Sequence, residues 1–138
     1  MISSENKSLL REINFGIREN LPSHFTTADA RAYLVSQKGV EEDSIVDTAE
    51  TAADILDRQR ELFKALATHL PAAPVERHVK FLCVSHGGFI RNLVNHHCNQ
   101  SLTTIKNCSV TVIEFSWDAN ACLTGAVPVR INDTSHLE

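Results

Sequence analysis

No apolar run in this chain approaches the ~20 residues that a bilayer-spanning helix needs, and the opening Met1-Ile2-Ser3-Ser4-Glu5 has no signal-peptide core. Positive charge is not in excess. Thirteen Lys and Arg against seventeen Asp and Glu leave a net charge of −4, which argues against nucleic acid or an anionic membrane as the main partner. Cysteine is sparse, and no Cys-x-x-Cys pair occurs. Cys83, Cys98, Cys108 and Cys122 are scattered, two of them inside apolar runs, so reduced thiols in a cytoplasmic protein are the plain reading and disulfides the weaker one. Internal repeats and low-complexity tracts are absent, as are composition shifts that would mark a linker. With 138 residues, the expectation is one domain over 1–138 with a small core.

What is present centres on Phe81-Leu82-Cys83-Val84-Ser85-His86-Gly87-Gly88-Phe89-Ile90-Arg91. Residues 81–84 are too few for a buried helix and too apolar for a surface strand, so they read as a buried, parallel strand. Gly87-Gly88 allow a sharp turn and a close approach to bare backbone N–H groups. Phe89, Ile90, Leu93, Val94 and His97 follow at helical spacing. A strand, a glycine turn and a helix N-terminus together make an anion site, with His86 at its lip and a phosphate or carboxylate as the expected ligand. The competing reading is a plain tight turn with a surface histidine, and the two stand about even on composition. His-Gly-Gly after a strand also suggests an esterase oxyanion loop, but the Gly-x-Ser-x-Gly elbow that chemistry needs is missing.

Along the chain, residues 9–18 read as a short strand running into a loop. Thr26-Thr27 cap a helix over 28–38 that Gly39 closes, with Ala30, Tyr33 and Leu34 toward the core. An acidic connector follows. Asp47 and Glu50 are spaced as a capping box for a long helix to about Leu70, whose apolar face holds Ala52, Ile55, Leu56, Leu62, Phe63, Leu66 and Leu70. Arg58, Glu61 and Lys64 read as its solvated face, and Pro71 and Pro74 end it. Residues 95–106 look loop-like. Residues 109–115 and 122–131, joined by Asp118-Ala119-Asn120, read as an antiparallel hairpin with Pro128 on an edge strand and a frayed tail from Asn132. Alternating strands and helices make the class α/β.

Seven histidines raise the question of a metal. The densest cluster, His96-His97-Cys98, is on successive helix positions that point about 100° apart, so one ion cannot take all three, and no His-x-x-x-His spacing occurs. No metal and no cofactor are expected.

The motif Val84-Ser85-His86-Gly87-Gly88-Phe89-Ile90-Arg91 resembles the second signature of the histidine phosphatase superfamily, the phosphoglycerate mutase-like fold. Leu10-Arg11-Glu12-Ile13-Asn14-Phe15-Gly16 is similar to its Leu-x-Glu-x-x-(Phe/Tyr)-Gly segment. Asp47-Thr48-Ala49-Glu50-Thr51 stands where Gly-Gly-Glu-Ser often precedes a long helix, and Asn107-Cys108-Ser109-Val110-Thr111 resembles the start of its penultimate strand. The likeness runs from about Leu9 to Ile131, and the closest branch is the sugar-bisphosphate phosphatases that regulate glycolysis. It implies a three-layer αβα sheet and a phosphomonoester ligand, a sugar phosphate, hydrolysed through a phosphohistidine. His86 would be the second, phosphate-holding histidine and Glu12 the acid/base, with Gly87, Gly88 and Asn107 binding phosphate. A cationic imidazole and backbone amides suit spread phosphoryl charge, and a carboxyl beside an anion favours its protonated form.

The departures carry equal weight. No Arg-His-Gly occurs, so the family's attacking histidine has no counterpart, and Arg77-His78-Val79 is misplaced for it. Eleven residues precede Glu12, too few for the strands and helices that normally intervene. Ile13 stands where some mutases have a phosphate-binding arginine. The chain therefore resembles the fold truncated on its N-terminal side, either a remnant or a phosphate-binding regulatory module, unless the sequence starts at an internal methionine of a longer protein. The strand at 81–84 would then lack a neighbour, and the expected remedies are rearrangement, a second fragment, or a homo-oligomer formed through the unpaired edge.

Overall fold

The computed structural model describes residues 8–70 and 79–137. These hold three α-helices, α1 (Thr27–Lys38), α2 (Ala52–Ala67) and α3 (Gly87–His97), and two strands, β1 (Val110–Trp117) and β2 (Leu123–Asp133). The composition is α/β, as expected. The chain divides into two compact units, one made of Ile13–Ile55 and the other of the stretch up to Glu12 together with Leu56 onward.

In the Ile13–Ile55 unit, α1 forms as its sequence dictates. Thr26 and Asp29 make a reciprocal capping box, and Gly39 closes the helix in the left-handed conformation at φ 65°. Ala30 is fully buried, while Tyr33 and Leu34 are half-buried. The capping box of α2 is not Asp47/Glu50 but Thr51/Asp54: the Asp54 N–H donates to Thr51 Oγ1 at 3.2 Å, and the Thr51 N–H donates to Asp54 Oδ2 at 2.9 Å. The same three-residue spacing recurs four residues later, now from a hydroxyl to a carboxylate, and the helix begins at that second occurrence. Asp47 and Glu50 instead hold the segment from Asn14 to Ile17. The Asn14 N–H donates to Glu50 Oε2 at 2.8 Å, the Glu50 N–H returns to Asn14 O at 2.9 Å, and the Ile17 N–H reaches Asp47 Oδ1 at 3.2 Å. Gly16 has φ +57°, and a Cβ there would run into the Asp47 carboxylate and the Ala49 backbone. Residues 9–18 form short 3₁₀ turns at 8–10 and Gly16–Arg18 rather than a strand.

In the other unit, α2 buries Arg58, Gln59, Leu62, Phe63 and Leu66 on one stripe. Arg58 is therefore not on the solvated face that its charge suggested. It lies three residues after Ile55 and four before Leu62, inside the apolar phase. Its Nη1 donates to Leu9 O at 3.2 Å and to Arg11 O at 2.8 Å, and its guanidinium sits 4.6 Å from the centre of the Phe89 ring. Gln59 is fully buried and bridges two α3 side chains: its Nε2 donates to Asn92 Oδ1 at 2.8 Å, and its Oε1 faces His97 Nε2 at 2.9 Å. Because an amide oxygen only accepts, His97 has its proton on Nε2. Phe63 packs edge-on against His97 and tilted against Phe115 of β1, so α2 meets both α3 and the hairpin. The helix ends at Ala67, short of Leu70, and the expected stop at Pro71 and Pro74 lies outside the described residues.

β1 and β2 pair antiparallel, from Val110 opposite Asp133 to Trp117 opposite Leu123, with irregularities near Val112 and Ser116. Asp118 builds the turn, its carboxylate accepting from the Asn120 and Cys122 N–H groups at 2.9 Å each. The tail is not frayed. β2 runs on to Asp133, Asn132 Oδ1 takes the Lys106 N–H at 2.7 Å, and a 3₁₀ turn follows at Ser135–Leu137. Helix α3 extends to His97, so residues 95–97 are helical and not loop.

The central expectation fails. Residues 81–84 form no strand, and among the described residues the sole sheet is β1–β2. Leu82 is 94% exposed and Val84 83%. An apolar run becomes a strand by pairing its N–H and C=O groups with a neighbour, and none of the described residues pairs with this one. No helix among the described residues is long and apolar enough to cross a membrane.

Two predictions follow from the polar stripe of α2. Arg58→Leu removes the donor shared by two carbonyls and the stacked cation, and is expected to cost about 2–4 kcal/mol in urea unfolding; a loss within measurement error would refute that role. His97 is held below its ordinary value of 6.5, first by burial and then by the charges of His96 and Arg60. The unfolded chain thus takes up this proton at higher pH than the folded one, so stability is intact above about 6.5 and falls as pH drops through the lowered folded value. The thermal midpoint should decline more steeply from about pH 8 to about pH 5 in the parent than in His97→Gln, and parallel profiles would contradict the assignment.

Candidate functional site

Helix α3 starts with no cap of its own. His86 occupies the N-cap position with extended backbone (φ −112°, ψ 157°), but its side chain makes no capping bond, and the first turn has no acidic residue. Its first N–H groups carry the positive end of the helix dipole. The partner comes from far along the chain. Glu12 spreads its carboxylate across two of these groups, Oε2 accepting from the Gly88 N–H at 3.3 Å and Oε1 from the Phe89 N–H at 3.1 Å.

The segment leading to Glu12 is fastened residue by residue. Arg58 holds the carbonyls of Leu9 and Arg11, and between them Ser85 Oγ donates to Leu10 O at 2.8 Å. The same arginine lies over the Phe89 ring, and Phe89 is 1% exposed. Gly88 makes the approach possible, since a Cβ there would stand 2.6 Å from Glu12 Oε1. The seat thus combines a glycine that leaves room for the carboxylate, two aimed amides, and a clamp behind the carboxylate.

The expected site residues are distributed as follows. Glu12, Gly88 and the helix start come together directly. His86 is exposed at the same helix start, and its ring has no hydrogen-bond partner among the described residues. Gly87 opens α3, with the Ile105 carbonyl 3.5 Å from where its Cβ would be. That loop is tied to α3 by Arg91 Nη1 to Thr103 O at 3.0 Å and by a two-way pair between Asn95 and Leu102. Asn107 is two residues beyond Ile105, exposed in the turn before β1, and its side chain is not engaged by any described residue. A groove along α1, lined by Ala28, Arg31, Ala32, Val35 and Glu42, contains none of these residues. His97, from the histidine-rich cluster, is spent on Gln59.

Sequence reasoning missed Arg58 and Ser85. The signal for Arg58 was its helical phase with Ile55 and Leu62. Ser85 offered none, because a hydroxyl beside a glycine turn has many uses. What the arrangement can do is hold one oxyanion: two amides and a helix dipole converge on a single anionic group, beside an imidazole able to carry charge.

No curated protein and no solved structure gave a significant match to the chain. A family profile does, the histidine phosphatase superfamily (branch 1), over residues 2–126. That span includes the Glu12 segment, Ser85-His86-Gly87-Gly88 and Asn107 alike, and on it the chain belongs to the histidine phosphatase superfamily.

Proposed function

We propose that this chain binds phosphate monoesters, sugar phosphates among them, at the start of α3, and that hydrolysis through a phosphohistidine needs an attacking histidine from outside these 138 residues. The observation that carries the reading is the Glu12 carboxylate on the Gly88 and Phe89 amides, an anion resting where a phosphoryl oxygen would bind. In this reading the phosphoryl oxygens take the Gly88 and Phe89 amides that Glu12 now holds, with the Gly87 amide, the His86 imidazole and the Asn107 side chain around them. The amides are held in place by the helix itself, so they are aimed at charge spread over the equatorial oxygens. Glu12 moves off the amides, takes a proton from solvent and gives it to the leaving oxygen, and as the carboxylate it then accepts a proton from the attacking water, as its place in the family motif implies.

The three-layer αβα sheet and a reducing, cytoplasmic setting belong to the same reading. So does pairing with a second copy: Leu82 and Val84 are exposed in a run that pairs with none of the described residues, and both outer edges of the β1–β2 hairpin are open among the described residues.

Two measurements on the whole chain test this. Inorganic phosphate should bind, and His86→Ala should weaken it about tenfold or more, the scale of one charge-assisted bond. Hydrolysis of an aromatic phosphomonoester should stay at background in both proteins. Turnover that His86→Ala abolishes would overturn the claim that the chain needs an outside nucleophile, and absence of phosphate binding would overturn the site itself.

A further inference from the structure

We propose that two copies of this chain pair reciprocally, residues 79–84 of each lying antiparallel along the outer edge of the other's β1, with Lys80 opposite Glu114 of the partner. This rests on the second-copy pairing proposed above and names the elements and the register. Lys80, Leu82 and Val84 share one face of an extended chain, and all three are exposed, Leu82 to 94% and Val84 to 83%. β1 alternates strictly, with Val110, Val112, Glu114 and Ser116 exposed and the positions between them half-buried. Each element thus offers two apolar side chains and one charge on its open face, and the charges are of opposite sign. Neither Lys80 nor Glu114 has an ion-pair partner among the described residues.

The register follows from the faces. A slip of one residue turns every side chain over, so Leu82 can stand only opposite an exposed position of β1. Placed antiparallel on Val112, it brings Val84 onto Val110 and Lys80 onto Glu114. The inner face agrees, since Phe81 then meets Ile113, both half-buried, and Cys83 meets Thr111. A shift by two residues one way puts Lys80 on Val112. The other way it puts Lys80 on Ser116 and Leu82 on the Glu114 carboxylate. Parallel pairing that joins Lys80 to Glu114 runs Val84 past the end of β1 to Asp118. One arrangement alone therefore matches charge with charge and apolar with apolar, and such cross-strand pairs are what stabilise a ladder. The chain's own run and its own β1 edge are not paired with each other. Each copy brings one of each, so the contact is returned about a two-fold axis and closes. Main-chain bonds along the two ladders give affinity, and the side-chain pairs fix the register.

The experiment is sedimentation equilibrium of the whole chain from low to high micromolar concentration. The parent should dimerise. Lys80→Glu and Glu114→Lys should each weaken the dimer about tenfold or more, because like charges then face each other in both ladders. The double variant restores opposite charges and should return to the parent's dissociation constant. Leu82→Asp should stay monomeric throughout. Lys80 and Glu114 are exposed, so the charge variants leave the core intact and decide the matter if Leu82→Asp does not fold. A dimer that ignores the single charge variants, or that the double variant does not restore, overturns this register and leaves second-copy pairing standing. Open assemblies longer than a dimer overturn the reciprocal closure. A parent that remains monomeric overturns this pairing and the second-copy reading together.

Discussion

A guanidinium inside a small core has to be saturated with acceptors, because leaving charge in low dielectric without them costs several kcal/mol. Arg58 meets that demand by reaching the carbonyls of Leu9 and Arg11, residues nearly fifty positions away along the chain. The requirement works in both directions. The arginine becomes tolerable inside, and a segment with only a short 3₁₀ turn to hold it becomes fixed. Stacking of the same group on Phe89 joins that segment to the first turn of α3. The placement of Glu12 on the helix amides is thus a consequence of how one core charge is neutralised.

The bare run at 81–84 shows the opposite outcome. β1 and β2 are also rich in β-branched residues, and they do form a ladder, because a short turn organised by Asp118 brings each to the other. Residues 81–84 have no such neighbour in sequence. Apolar character supplies a reason to be covered, about 1.5–3 kcal/mol for a side chain such as Leu82 or Val84, but it does not supply the partner. Without a paired neighbour among the described residues, Leu82 and Val84 remain exposed.

Local signals in the sequence were read correctly where the chemistry is local. Thr26, Asp29 and Gly39 bracket α1 because caps act within a few residues, and the hairpin is legible because its turn is short. The misreadings share a cause. Asp47/Glu50 and Thr51/Asp54 are equally good boxes on paper, and the choice is made by Asn14 to Ile17, which engage Asp47 and Glu50 first. Charge alone placed Arg58 outside, whereas its phase along α2 placed it inside, and phase decides when a side chain finds acceptors there. At the site, Glu12, His86, Gly87 and Gly88 were legible as candidates from the motif. That Glu12 would rest on the Gly88 and Phe89 amides was not, because the contact joins residues seventy-six and seventy-seven positions apart.

A helix whose N-cap side chain gives nothing still has N–H groups to satisfy, and half-buried amides without acceptors are costly. Had His86 been Ser or Asp, α3 would cap itself and its amides would be closed to any ligand. Histidine gives them no side-chain acceptor, so the fold borrows one from Glu12, seventy-six and seventy-seven positions away. The borrowed carboxylate satisfies the amides from a segment that Arg58 clamps, so the stability of this helix end is tied to the core charge that fixes that segment.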